Sequence, residues 1–201
     1  MRSLLRESGL LDSAIDTSKI DELRDKLLTA FDKEKIAKEH SGPNACHCCH
    51  YASAPNQSPL RIYDIAYLLI KNSDFQLPEP DWQAIKKNNP SSNYMRSNGI
   101  NYYKCLFLGP RGCLYGENRP AVCLSYVCHG AIKAILEKPS ELRLPSMDYP
   151  SMDNIGNLVL EKIGFPGDFM MGVVVSDWFY KIIVPKIGKS EKEIISAFNQ
   201  A

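Results

Sequence analysis

All seven cysteines of this 201-residue chain lie between positions 46 and 128. One group is Cys46-His47-Cys48-Cys49-His50, and the other comprises Cys105, Cys113, Cys123 and Cys128. Thiolate sulfur is the preferred ligand of zinc, copper(I) and iron-sulfur clusters, so thiols and histidines concentrated in this way point to a bound metal. A Cys-x-Cys-Cys run cannot turn all its sulfurs to one regular face. Neighbours on a strand point oppositely, and neighbours on a helix lie roughly a quarter turn apart. The run suits a loop curled around an ion, and two ligands from that loop with two from a later hairpin would complete a tetrahedral zinc site. Seven thiols exceed one such site and fall one short of two. The eighth ligand would then be His47, His50 or His129, each adjoining a cysteine; in the alternative, one four-iron cluster takes four thiolates and the others surround it. His40, near a helix end, reads as a surface residue. Four thiolates around a divalent ion leave a local charge of about −2, which cations and backbone N–H groups must offset. Arg111 and Arg119 are the cations at hand, and the fixed φ of Pro120 shapes the loop before Cys123.

The elements that must position these residues read as mainly α: a helical body with a cysteine-rich metal-binding insert containing a small β-hairpin. Thr17-Ser18 followed by Asp21 resembles a capping box, and Ile20, Leu23, Leu27, Phe31 and Ile36 recur at helical spacing to about Lys38. Ser41-Gly42-Pro43-Asn44 ends that helix, and the first cysteine group follows in a loop. Leu60 to about Asn72 again has a helical period, and a short helix is expected over Asp81 to Lys87. Tyr102 to Leu108 has strand composition, and Gly109-Pro110-Arg111-Gly112 is a turn after which the strand resumes at Cys113-Leu114-Tyr115. Further helices are expected at His129 to Glu137, about Met152 to Ile163, Phe169 to Val184 and Ser190 to Phe198. The organisation is an N-terminal helical segment (1–40), a cysteine-cluster region (41–130) and C-terminal helices (131–201), packed as one compact domain.

Lys plus Arg number 24 against 23 Asp plus Glu, a formal charge of +1. No global field of that size draws in nucleic acid or an acidic membrane. The irregular cysteine spacings, without a basic stripe, also argue against a nucleic-acid-binding zinc ribbon. The N-terminus lacks the continuous apolar stretch of a secretory signal, and Phe169 to Val184 is too short, and too interrupted by Asp177 and Lys181, to span a bilayer. The expected location is the cytoplasm, where disulfides are rare and an odd number of cysteines would leave one unpaired in any case. The partners expected are a metal ion and, beyond it, an unspecified protein.

The stretch from Cys105 to Cys128 resembles the second half of the zinc- or iron-chelating domain family (YkgJ-like, the CxxCxxCC family). The family phrase, C-x-F-L, then C-x-I-Y-x-x-R-P-x-x-C, then a final cysteine, is matched by Cys105, Leu108, Cys113, Tyr115, Arg119, Pro120, Cys123 and Cys128. Its first half is compressed here to Cys46, Cys48 and Cys49, and Leu124 stands where an arginine is common. The resemblance covers about residues 44–129 and implies zinc or an iron-sulfur cluster held by Cys46, Cys48, Cys49, Cys105, Cys113, Cys123 and Cys128, with no assigned activity. Some flagellin lysine N-methylases carry a similar cluster, but this chain has no Gly-rich loop after a strand for a nucleotide-like cofactor. Besides a closed site in a binding or regulatory protein, two readings stay open. One is a metal-dependent enzyme using Tyr102, Tyr103, Tyr115, Glu117 or Asp148; the other is soft-metal storage or delivery.

Overall fold

The computed structural model describes residues 1–30, 60–79, 107–109, 112–125 and 157–199, and these are mainly helical. Helix α1 (Arg2–Glu7) has no counterpart among the helices expected from periodicity, being too short to show a period. It buries Leu4 and Leu5 and ends where Gly9, at φ +70°, donates its N–H to the Arg6 carbonyl at 2.9 Å while Leu10 N–H reaches the Leu5 carbonyl at 2.8 Å. That paired arrangement needs a left-handed residue, which glycine supplies without a Cβ penalty.

Helix α2 (Ser18–Ala30) starts where the Thr17-Ser18 signal places it. Its cap differs from the expected one: the Asp16 carboxylate accepts both Ser18 N–H (2.9 Å) and Ser18 Oγ (2.7 Å), and the Thr17 hydroxyl donates to Asp21 Oδ2 (2.8 Å). A carboxylate is the stronger acceptor for an unpaired helix N–H, and it leaves the hydroxyl for the next acid. Helix α3 (Ile62–Lys71) buries Ile65, Ala66, Leu68 and Leu69, as its spacing predicts.

Strands β1 (Leu108–Gly109) and β2 (Gly112–Cys113) pair antiparallel, with Leu108 opposite Cys113 and Gly109 opposite Gly112. Leu114 N–H extends the pairing to the Phe107 carbonyl at 2.8 Å. A 3-10 turn (Gly116–Asn118) leads through Arg119 and Pro120 into the short helix α4 (Ala121–Ser125). Arg119 is extended (φ −56°, ψ 144°), as a residue before proline must be.

Helix α5 is described over 157–162 and closes as α1 does. Gly164, at φ +80°, bonds the Glu161 carbonyl, and Phe165 N–H reaches the Leu160 carbonyl. Helix α6 (Met171–Trp178), a π-helical stretch (Phe179–Ile183) and α7 (Val184–Ile187) then run on as one helix. It begins two residues later than expected and continues three residues past Val184, because Pro185 is accommodated rather than terminating. Proline lacks an N–H and clashes with the carbonyl four residues back, and a π turn just upstream relieves both defects. Helix α8 (Glu191–Asn199) opens on a reciprocal cap: Ser190 N–H and Oγ donate to Glu193 Oε2 at 2.8 and 2.6 Å.

The core forms where α6 lies against α2, α3 and α4. Met171 and Val175 of α6 and Phe179 and Ile183 of the π-helical stretch present the fully buried side of the continuous helix, in one apolar cluster with Ile20, Leu27, Leu68 and Leu124. The expected continuation of α2 beyond Ala30, the helices at 81–87 and 129–137, the strand over 102–106 and the turn residues Pro110 and Arg111 all lie outside the described residues.

Candidate metal centre

Of the seven cysteines, two fall on described chain. Cys113 is the last residue of β2, where its backbone is placed, and Cys123 sits half-buried in α4 with its N–H on the Pro120 carbonyl at 2.9 Å. The register sets Leu108 directly across from Cys113. Cys46, Cys48, Cys49, Cys105 and Cys128, with His40, His47, His50 and His129, lie outside the described residues, as do Tyr102, Tyr103 and Asp148. Tyr115 is buried, with its ring 4.6 Å from that of Phe107, whereas Glu117 is exposed. Among the described residues, no group of three or more His, Cys, Asp or Glu side chains converges to hold an ion.

What the structure makes explicit is how the Cys113–Cys123 segment is held. Pro120, Ala121 and Leu124 are buried, so α4 is pinned between α2 and α6 by apolar contact. Leu124 is a core residue at 1% exposure. Two buried ionisable residues, neither singled out by the sequence reading, reach the same segment. Arg24 of α2 is 5% exposed; its Nη2 donates to the Glu117 carbonyl at 2.9 Å, and its guanidinium lies 5.0 Å from the centre of the Tyr67 ring. Asp64 of α3 is 2% exposed; Oδ2 accepts Arg61 N–H at 2.9 Å, capping its own helix, and Oδ1 accepts Ala121 N–H at 2.8 Å. Both sit at helical positions that a periodicity reading assigns by hydropathy alone. A lone acid in the first turn of an apolar helix was the only local signal for Asp64.

The network continues outward. Tyr67 Oη donates to Asp21 Oδ1 at 2.5 Å, and Lys71 Nζ and Thr17 Oγ1 both donate to Asp21 Oδ2 at 2.8 Å. Burial pushes the Asp64 carboxyl above the ordinary carboxylate range, although its two backbone N–H bonds and Arg24 and Arg61 oppose the shift. For Asp21, burial also acts upward, but the bonds from Lys71, Tyr67 and Thr17 outweigh it and hold that carboxyl low. Burial and then the bond to Asp21 raise the Tyr67 phenol, so it remains the donor. Desolvation draws the Arg24 guanidinium down, countered by Tyr67 and by the Asp64 and Asp21 charges; an arginine nonetheless stays charged.

Arg119, the cation between Cys113 and Cys123, is half-buried, and its Nε is enclosed without a hydrogen-bond partner among the described residues. No family model, no curated protein and no solved structure matches this chain. Among the described residues, no helix is long and apolar enough to cross a membrane.

Proposed function

We propose that this is a metal-binding protein of the zinc- or iron-chelating, YkgJ-like type. It holds zinc or an iron-sulfur cluster through Cys46, Cys48, Cys49, Cys105, Cys113, Cys123 and Cys128 in a cysteine-rich insert of a helical, cytoplasmic protein. The observation that carries this reading is the confinement of all seven thiols to residues 46–128. The donor set fits a soft or borderline ion: thiolates bind zinc and iron-sulfur clusters, and a site closed by four of them leaves no open coordination position. Such an ion would supply cross-linking of the loop to the helical body, or electron transfer if the centre is iron-sulfur. The pinned, turn-rich segment that bears Cys113 and Cys123 suits ligation, because a ligand backbone held before the ion arrives loses less entropy on binding.

Arg119 is the counter-charge in this reading. Its enclosed Nε is a donor suited to a thiolate, and a thiolate centre needs cationic neighbours in a partly dry site. Metal content and the visible spectrum of protein purified without oxygen test the proposal. One or two zinc ions in a colourless protein, or iron with acid-labile sulfide in a brown one, are the expected results, and Cys113→Ser and Cys123→Ser should each cut metal content sharply. Full metal retention by both variants would sink the ligand assignment.

A further inference from the structure

The two buried charges that meet the cysteine-bearing segment come from different helices and grip it at different points. Arg24 projects from α2 to the Glu117 carbonyl, four residues after Cys113; Asp64 projects from α3 to Ala121 N–H, two residues before Cys123. The first grip is inside the 3-10 turn and Asn118, Arg119 and Pro120 lie between the two, so the path joining the two cysteines is fastened to the helical body at two points. Tyr115, Pro120, Ala121 and Leu124 hold the segment by burial, and between its exposed residues Leu114, Gly116, Asn118 and Val122 the two hydrogen bonds with buried charges add direction at Glu117 and Ala121. Forming α2 and α3 does not by itself require either charge to be buried. An arginine in mid-helix on the buried side is a cost unless its donors are used, and an exposed acid in the first turn would cap α3 without being drawn into the core.

We infer that Arg24 and Asp64 are positioning residues for the metal centre, bracing the Cys113–Cys123 path against α2 and α3 so that metal loading and the packing of these helices are energetically coupled. The inference rests on the metal-binding reading above. Coupling of this kind is reciprocal: a brace that favours the loaded geometry is itself favoured by the metal.

Full-length wild type is compared with Asp64→Leu, Asp64→Asn, Arg24→Met and Arg24→Lys. Each protein is prepared metal-free and after loading with zinc(II) or, anaerobically, with iron and sulfide. Two quantities are read: the rate of metal loss to a chelator, and the rise in melting temperature that loading produces. Asp64→Leu and Arg24→Met should release metal about 10- to 100-fold faster, the usual cost of losing a residue that orients a ligand, and their rise should shrink. Asp64→Asn can keep its bond from Ala121 N–H only by turning its NH2 toward Arg61 N–H, so it should lower the melting temperature of both forms while its metal release and its rise on loading stay closer to wild type than those of Asp64→Leu. A purely structural role would lower the melting temperature of both forms alike, leaving the rise and the release rate at wild-type values; that result overturns the inference and leaves the metal reading standing. If Arg24→Met does not fold, Arg24→Lys decides: it keeps the charge but is one atom short of the Nη2 that reaches the Glu117 carbonyl, so faster release from a folded protein supports the brace and wild-type release overturns it. Wild type that retains neither zinc nor iron overturns both conclusions.

Discussion

The helix over 171–187 and the segment over 112–125 are both fastened to α2 and α3, but by opposite means. The former presents Met171, Val175, Phe179 and Ile183, all essentially inaccessible to water, and needs no buried charge to find its place. The latter offers Pro120, Ala121 and Leu124 to the core and otherwise relies on Arg24 and Asp64. Apolar burial is strong but non-directional, whereas a hydrogen bond from a buried charge is weaker in net terms and fixes orientation. A scaffold helix tolerates small shifts; a path proposed to carry two metal ligands does not.

Truncating the apolar side should therefore do the most damage to stability. Phe179→Ala removes a fully buried ring and should cost about 3–5 kcal/mol in denaturant unfolding. A loss below about 1 kcal/mol would mean that the helix is not held by its apolar face. The rim of the polar network should matter less. Asp21→Asn weakens bonds from Lys71, Tyr67 and Thr17 and should cost about 1–2 kcal/mol at neutral pH, the partly exposed Lys71 pair adding little. The sign with pH follows from the low folded pKa of Asp21: its contribution is present above the unfolded value of 3.8 and is lost as pH falls through the folded one. The gap between wild type and Asp21→Asn should thus close on acidification, and a gap that widens would contradict the network. Asp64 has the opposite sign. Its folded pKa is raised, so through this group alone stability falls as pH rises from 3.8 through the folded value and is level above it. Smallest of all is the exposed pair of Lys181 and Asp177, 2.6 Å apart one helical turn from each other; Lys181→Ala should change stability by less than about 0.5 kcal/mol.

Among the described residues, the sequence pattern locates the start of α2, the end of α5, and α3, the 171–187 helix and α8 to within a few residues, because each carries an apolar stripe long enough to show its spacing. It misses α1, at six residues, and it misjudges the end of the 171–187 helix, where a π turn absorbs Pro185. The crowding of all seven thiols into residues 46–128 is read directly from the sequence, and the metal centre proposed from it rests on that pattern.

The supports of the proposed centre were not legible. Arg24 and Asp64 lie 93 and 57 residues from the backbone groups they bond, and nothing local marks one arginine or one aspartate out of 24 cations and 23 acids. By itself the sequence determines which segments are helical and which atoms are available to ligate a metal, because both follow from residue type and short-range spacing. Only the tertiary structure decides that α2 and α3 converge on the path between Cys113 and Cys123, that Leu124 is core, and that two carboxylates of one kind titrate in opposite directions. Burial and partner geometry are properties of the packed chain, and they alone set whether a charge is stabilised or penalised.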